Sequence, residues 1–341
     1  GNDESHFTRP TSLFRIGGLS NMITATAVLK LVQDGRLSLD AKITDILSFV
    51  PPTGQSVDPR LGKVTVADLL YQRGGWDIAK LGYDPMFSDL RISKSLGVPL
   101  PISQANIITY MSGVPLNHDP GTTSAYSNYG YMLLGRIIEA VSQQPYETYV
   151  RQNVLEPMGI TDMQLGHSLP DKQLLGEVTY HSDFTGPTVF AASGAAVPWP
   201  YGGWNLENMD SANGWVANVV DMARFEASFD QPGSNPVLTQ ESIKQMFAPP
   251  PGTTAGRYSA MGWEVLRIGN TMNTWNTGSL DGTLALLVRR SDGVDWVVIF
   301  NQRESLHDPK GESYWEIDDL LHKAADAVGT WPVYSLFQQF P

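Results

Sequence analysis

The sequence predicts a mixed fold of the α/β (α+β) type, in which an antiparallel sheet flanked by helices joins a mostly helical lobe. A chain of 341 residues with 42% hydrophobic content can bury a large core, and this length favours two lobes over one simple layer. The middle of the chain has helical periodicity. Near the carboxyl end the pattern changes to short β-branched and aromatic runs, which indicate strands.

The first predicted element is a buried helix over residues 22–32. This stretch is apolar nearly all round, as expected for a central helix, and Gly35 supplies a carboxyl-terminal stop. Residues 50–125 follow and are rich in Pro and Gly, with a short helical piece at 66–71. We expect them to form the irregular lid and wall of a cleft.

Two further helices are predicted over residues 129–141 and 146–154, separated by a Gln-Gln-Pro break. Another helix should begin near Asp221, which is a candidate N-cap because Asp accepts hydrogen bonds from the first free backbone N–H groups.

The carboxyl-terminal part predicts an antiparallel meander. Residues 262–268, 283–290 and 294–301 are short strand-like runs, separated by Gly and Asp turns. Residues 314–328 then carry apolar side chains at helical spacing, and this helix should pack across the sheet.

The composition of the chain limits the classes of molecule that it is expected to bind. The net charge is −12 with a pI near 4.9, and no Lys- or Arg-rich run occurs, which disfavours nucleic acid and anionic membrane surfaces. Small neutral or cationic ligands are more compatible with this negative charge. No apolar run approaches the roughly 20 residues that span a bilayer, so membrane insertion is not expected.

Cysteine is absent, which removes disulfides, thiol catalysis and thiolate metal sites but leaves the compartment open. The six histidines are scattered, and none has a helical metal-ligand spacing to another. We therefore expect no metal and no cofactor.

Several blocks together carry a family resemblance. Residues 14–25 read FRIGGLSNMITA, and residues 24–40 continue as an apolar helix that ends in GRLSLD. Residues 69–77 read LLYQRGGWD, residues 119–131 contain DPG and then YSNYGY, and residues 276–283 read NTGSLDGT. In order and spacing they resemble the serine β-lactamase and penicillin-binding-protein superfamily, especially its class C β-lactamase, esterase and D-aminopeptidase branch.

The resemblance implies a two-lobed β-lactamase-like fold with a cleft at the lobe junction. It predicts one domain over 1–341, with a helical lobe at about 40–250 and a sheet lobe from 10–40 plus 255–330. The amino-terminal helix and first two strands of the family are not represented in the given sequence. A partner segment or an oligomer could cover the sheet edge that they would occupy.

The resemblance also marks a departure. The family carries Ser-x-x-Lys in its first motif, where residues three apart share a helical face and the amine takes the serine proton. This chain has Gly18 and Asn21 at those positions, and Asn276 replaces the Lys or His of the third motif. We interpret the three changes as a repurposed site without the acyl-enzyme machinery. Glycine at position 18 is also expected to free volume for substrate.

The resemblance implies that this sequence keeps other parts of the family's cleft. Tyr126 would relay protons, and the backbone N–H groups of Gly18 and Ser279 would form an oxyanion site. The residues expected to bind substrate are Asn21, Asn128, Asn276, Thr277, Gly278, Trp76 and Trp215. The two tryptophans are included as possible pocket walls, although such aromatics are individually more often core residues.

Three functions stay open. The leading one is non-covalent acid/base catalysis on a carbonyl-containing small molecule, by isomerisation, cyclisation, elimination or addition. The second is an inactive ligand-binding pseudoenzyme. The third is a hydrolase or acyltransferase with a non-standard nucleophile, for which Ser20, Ser127 and Ser279 are the candidates.

Overall fold

The computed structural model describes residues 7–303 and 314–340. Within this part of the chain the α-helices are α1 Ser20–Gln33, α2 Val66–Leu70, α3 Ile78–Leu81, α4 Asp89–Leu96, α5 Gln104–Ser112, α6 Asn128–Ser142, α7 Tyr146–Val150, α8 Asp210–Asn213, α9 Val219–Ala227, α10 Gln240–Met246 and α11 Ile317–Asp326.

The strands are β1 Phe14–Arg15, β2 Gln164–Leu165, β3 Thr185–Pro187, β4 Ala196–Pro198, β5 Trp215–Ala217, β6 Arg257–Ser259, β7 Glu264–Ile268, β8 Thr271–Leu280, β9 Thr283–Arg289 and β10 Asp295–Phe300. The last five form one antiparallel sheet in the order β10-β9-β8-β7-β6, which confirms the predicted strands β7, β9 and β10 and adds β8, which was not predicted, between β7 and β9. A small sheet in the order β1-β5-β2 and the hairpin β3-β4 complete the strands.

Helix α1 is the buried central helix that the sequence predicts. All its residues from Ser20 to Leu29 are buried, and it contacts α6, α8 and α10. The helix ends just before Gly35, whose φ of +71° is a left-handed conformation that glycine adopts without steric cost. The amino-terminal end of α1 therefore has a fixed position beside the sheet.

The predicted N-cap at Asp221 is wrong. Asn218 caps α9, because its side-chain oxygen accepts from the Asp221 backbone N–H at 2.8 Å. The Asn218 amide in turn donates to the Asp221 carboxylate at 3.1 Å. Asn and Asp three residues apart both suit a helix start, and the first of them takes the cap position.

The predicted helix over 314–328 is present as α11, and it contacts the edge of the sheet. The His322 ring meets Trp296 of β10 edge-on, with 4.7 Å between centroids, and Arg290 pairs with Asp326 at 2.6 Å. The apolar side of α11 stays partly open, since Leu320 is 55% exposed. In the described ranges no strand pairs with the outer side of β10, and a covering segment or second copy remains a prediction.

A buried cation holds the segment that leads into α1. Arg15 is fully buried, and its guanidinium donates to the carbonyls of Pro200 at 2.6 Å and His167 at 2.7 Å. It also lies 3.4 Å from the Glu177 carboxylate and over the Tyr180 ring. Such a charge is tolerated inside a protein when it is paired and hydrogen-bonded. None of the described helices has the length and apolar character needed to cross a membrane.

Candidate active site

The start of α1 lies directly against strand β8. After β1 the chain makes a short turn over Gly17–Leu19, in which Gly17 has a φ of +53°. A Cβ added to Gly278 would overlap the carbonyl oxygen of Ile16, and one added to Gly18 would lie 2.7 Å from the Thr277 carbonyl oxygen. The expectation that Gly18 frees volume for substrate is therefore wrong, because the backbone of β8 fills that space.

Tyr126 lies beside this junction and is held by a hydrogen-bond network. Its hydroxyl is 3.3 Å from where a Cβ on Gly18 would be, and it donates to Asn128 Oδ1 at 2.9 Å. The Asn128 amide donates to Asp84 Oδ2 at 2.6 Å, and Asn213 donates to Asn128 Oδ1 at 2.8 Å. Asn128 thus orients the tyrosine through its side-chain oxygen, while one N–H of its amide is donated to Asp84.

Gln72 holds the loop that carries Tyr126. Its backbone carbonyl accepts from Ala125 N at 2.8 Å, and its side-chain oxygen accepts from Ser127 N at 2.9 Å. Gln72 adopts a left-handed backbone with φ +57°, which is uncommon outside glycine and points to a locally constrained turn.

The environment keeps the Tyr126 phenol neutral. The residue is 46% exposed, yet its hydroxyl lies at the inner end of the ring, where burial raises the pKa of Tyr126 to about 12. A hydrogen bond from Asn21 lowers this pKa, and the nearby Asp84 carboxylate raises it. Burial also raises the pKa of Asp84. At neutral pH the phenol can donate a proton but is a poor base.

A cavity of about 150 Å³ opens beside Tyr126. Asn21, Gln72, Glu264 and Asn276 are among its lining residues. Of the lining residues within 7–303 and 314–340, Glu264 alone has a charged side chain, and sequence reasoning missed it. It belongs to no motif and reaches the cavity because β7 pairs with β8, which places Glu264 opposite Trp275. Asp84 was missed for the same reason, since only the fold brings it to Asn128.

Asn276 connects three parts of the site. Its amide donates to the Gly262 carbonyl at 2.8 Å and approaches the Gly18 carbonyl at 3.4 Å. Its side-chain oxygen accepts from Thr277 N at 2.7 Å. The Asn276 side chain therefore fixes β8 against the start of α1.

Ser279 lines a second cavity of about 290 Å³. Phe87 and Trp204 provide aromatic walls there, and Arg303 donates to Ser279 Oγ at 3.2 Å. The fold thus brings together Gly18, Asn21, Tyr126, Asn276, Thr277, Gly278 and Ser279, with Asn128 behind Tyr126.

Two predicted substrate-binding residues lie in the core instead. Trp76 is 3% exposed and packs edge-on against Tyr129, with 4.9 Å between centroids. Trp215 is fully buried, and its indole N–H donates to Tyr146 at 2.8 Å. Large aromatic side chains contribute strongly to core packing, and neither tryptophan lines the two cavities described above.

The alternative nucleophiles are occupied by structural contacts. Ser20 is fully buried, and its Oγ accepts from Trp215 N at 3.3 Å. Ser127 Oγ caps α6 by accepting from Gly130 N at 3.1 Å. In the described part of the chain, no hydrogen bond joins the Oγ of Ser20, Ser127 or Ser279 to a lysine, histidine or carboxylate that could act as its base.

A carboxylate cluster away from the cleft is the one group in the described ranges that could offer three metal-ligand atoms. Glu226, Asp230 and Asp295 place those atoms within 4.8 Å of one another. Arg289 already pairs with Asp230 at 2.7 Å and lies 3.4 Å from Glu226. The arginine supplies the positive charge that a metal ion would otherwise bring.

Comparisons with known proteins agree with the fold. A family model described as Beta-lactamase matches residues 6–319. The penicillin-binding protein from Bacillus halodurans is 18% identical with a TM-score of 0.70, over 93% of this chain and 87% of that one. The D-amino acid amidase from Ochrobactrum anthropi SV3 is 22% identical with a TM-score of 0.68, over 95% of this chain and 89% of that one.

Relatives found by sequence match a smaller part of this chain than the solved structures do. A putative D-alanyl-D-alanine carboxypeptidase of Escherichia coli K12 is 30% identical over 141 residues, which is 40% of this chain and 30% of that protein. Protein flp of Staphylococcus aureus is 31% identical over 153 residues, which is 45% of this chain and 28% of that protein. The match spans about three tenths of the length of these relatives.

Proposed function

We propose that this chain, which belongs to the Beta-lactamase family, acts on a carbonyl-containing small molecule without a covalent intermediate. The single observation that carries the proposal is the network from Asp84 through Asn128 to Tyr126, which delivers a neutral phenol to the start of α1. The network is complete although Gly18 and Asn21 stand where the resemblance places the serine and the lysine.

The proposed chemistry follows from the protonation state of Tyr126. Because its pKa is raised to about 12, the phenol keeps its proton at neutral pH and would donate a hydrogen bond to a substrate oxygen. The backbone N–H groups of Gly18 and Ser279 would polarise the same carbonyl. Isomerisation, cyclisation, elimination and addition next to a carbonyl can use such a donor and need no covalent bond to a protein nucleophile, while a base other than the neutral phenol must accept the proton wherever a C–H bond breaks.

The activities in the names of the relatives suggest where to look for the substrate. They describe a D-amino acid amidase and a putative D-alanyl-D-alanine carboxypeptidase. We infer that small amides and peptides with D-residues are suitable first candidates for ligands of this cleft.

A ligand-binding protein without turnover is the second candidate, and one observation favours it. The Tyr126 proton is already donated to Asn128, and the oxygen receives the Asn21 amide. Catalysis requires the hydroxyl to exchange this partner for the substrate, whereas binding alone does not.

Replacing Tyr126 with phenylalanine tests the proposal. For an enzyme, turnover of the identified substrate should fall by about two orders of magnitude, the scale of a general acid, while affinity and melting temperature change little. The measurement compares rate, affinity and melting temperature for both proteins. Weakened affinity with no rate to lose would identify a binding protein. Unchanged rate and affinity would show that Tyr126 has only a structural role.

Covalent probes test the absence of an acyl-enzyme route. We expect no labelling by penicillin or a fluorophosphonate and no hydrolysis of a chromogenic cephalosporin above background, because in the described part of the chain none of Ser20, Ser127 and Ser279 has a hydrogen-bonded base. Intact-protein mass spectrometry provides the readout, with an active serine β-lactamase as the positive control. Stoichiometric modification of Ser20, Ser127 or Ser279 would restore the hydrolase alternative.

A further inference from the structure

We propose that the cavity lined by Asn21 and Glu264 binds a positively charged nitrogen of the ligand, as a primary ammonium or an amidinium group. This inference shares with the proposed function only the location of the ligand, which is the cleft beside Tyr126. Binding of the charged group can be measured without any turnover, so the two proposals can fail separately.

The charge of the cavity is the first argument. Among the described residues that line it, Glu264 is the only one with a charged side chain. Ser259 Oγ donates to Glu264 Oε1 at 2.5 Å, and no Lys, Arg or His of the described ranges forms an ion pair with this carboxylate. A carboxylate in a confined, partly buried site is stabilised by an opposite charge. The cavity itself therefore favours a cation over an anion or an apolar group.

The hydrogen-bond inventory is the second argument. The Tyr126 hydroxyl donates to Asn128, and the Asn276 amide donates to Gly262, so both lining groups have used these donors. Asn21 is 3% exposed, and its side-chain oxygen has no partner. Its amide nitrogen donates to the Tyr126 hydroxyl oxygen, and the Tyr126 proton is itself donated to Asn128. The Asn21 oxygen and the Glu264 carboxylate are acceptors that suit an ammonium, which has three donors and no acceptor, although the Trp263 indole N–H in the same lining also has no partner.

The size of the cavity is the third argument. About 150 Å³ corresponds to roughly five water volumes, which accommodates a charged nitrogen and a short carbon stem. The resemblance places a lysine at position 21, and asparagine is shorter and neutral. A ligand cation in this cavity would supply beside Tyr126 the charge that such a lysine carries.

Binding of n-propylammonium chloride tests the inference, with 1-propanol as a neutral probe of similar shape at the same ionic strength. Two-dimensional NMR of the wild-type protein should show saturable shifts at residues around Asn21 and Glu264 for the cation and none for the alcohol. Glu264→Gln should weaken cation binding about tenfold or more, because a charge-assisted hydrogen bond is lost. Glu241→Gln, a change of an exposed carboxylate on α10, should leave binding unchanged.

A second variant keeps the test decisive if Glu264→Gln fails to fold. Asn21→Lys places a tethered ammonium in the cavity and should abolish propylammonium binding. Equal binding of propanol and propylammonium, or undiminished cation binding in the folded variants, would overturn the inference. Such a result would leave the Tyr126 proposal standing, whereas confirmed cation binding together with no turnover would support a binding protein.

Discussion

Replacing Gly278 with alanine is expected to destabilise the protein by about 3 kcal/mol or more, or to prevent folding. The added Cβ would overlap the carbonyl oxygen of Ile16 and lie 3.1 Å from Gly18 N. Both neighbours are backbone atoms, so no side-chain rotation can relieve the overlap. Strand β8 would have to move away from the start of α1, which would also separate Ser279 from Gly18.

Chemical denaturation followed by far-UV circular dichroism measures this loss as a change in the free energy of unfolding. Gly256→Ala is the matched control, because this glycine precedes β6 in the same sheet and an added Cβ meets nothing within 4 Å. We expect the control to change stability by less than about 0.5 kcal/mol. If both variants were equally stable, the close contact between β8 and the turn before α1 would be incorrect.

The elements that periodicity defines could be predicted from the sequence. Helix α1 is apolar nearly all round and is buried, and the β-branched and aromatic runs near the carboxyl end form β7, β9 and β10 of the antiparallel sheet. These features depend on local pattern and on burial, which a single sequence records directly. The family motifs likewise brought Tyr126, Asn128 and Asn276 to one place.

The details that depend on tertiary contact could not be predicted in this way. Asp84 and Glu264 carry no motif, and each reaches the site only because a loop or a neighbouring strand places it there. The space beside Gly18 was misjudged because it depends on how closely β8 packs. Trp76 and Trp215 are large aromatic residues of the kind that often line pockets. Only the fold shows that they are core residues.

A buried acid on α9, Glu226, is expected to make the stability of the protein depend strongly on pH. Glu226 is 4% exposed, and Asp230, Asp295 and Arg289 lie around its carboxyl group. Burial, followed by the hydrogen bond with Asp295, raises the pKa of Glu226 to about 10, and Arg289 only partly opposes this shift. Burial also raises the pKa of Asp295. The pair therefore retains a proton at neutral pH in the folded protein.

The sign of the pH effect follows from this raised pKa. Between the ordinary glutamate pKa of 4.5 and about 10, the folded state binds a proton at Glu226 that the unfolded state has lost. The contribution of Glu226 to stability is thus complete below about pH 4.5 and is lost progressively as the pH rises toward 10. Glutamine keeps the neutral shape of the protonated acid and cannot ionise.

We therefore expect Glu226→Gln to become more stable relative to the wild type as the pH rises. Between pH 4.5 and 8.5 the difference in the free energy of unfolding should grow by an amount on the order of 3 kcal/mol. Urea denaturation at both pH values gives this difference, with Glu241→Gln as an exposed carboxylate control. A difference that does not change with pH would mean that Glu226 is ionised in the folded protein, with Arg289 compensating its charge. In that case the variant would lose stability at every pH, because Arg289 would lose its buried partner.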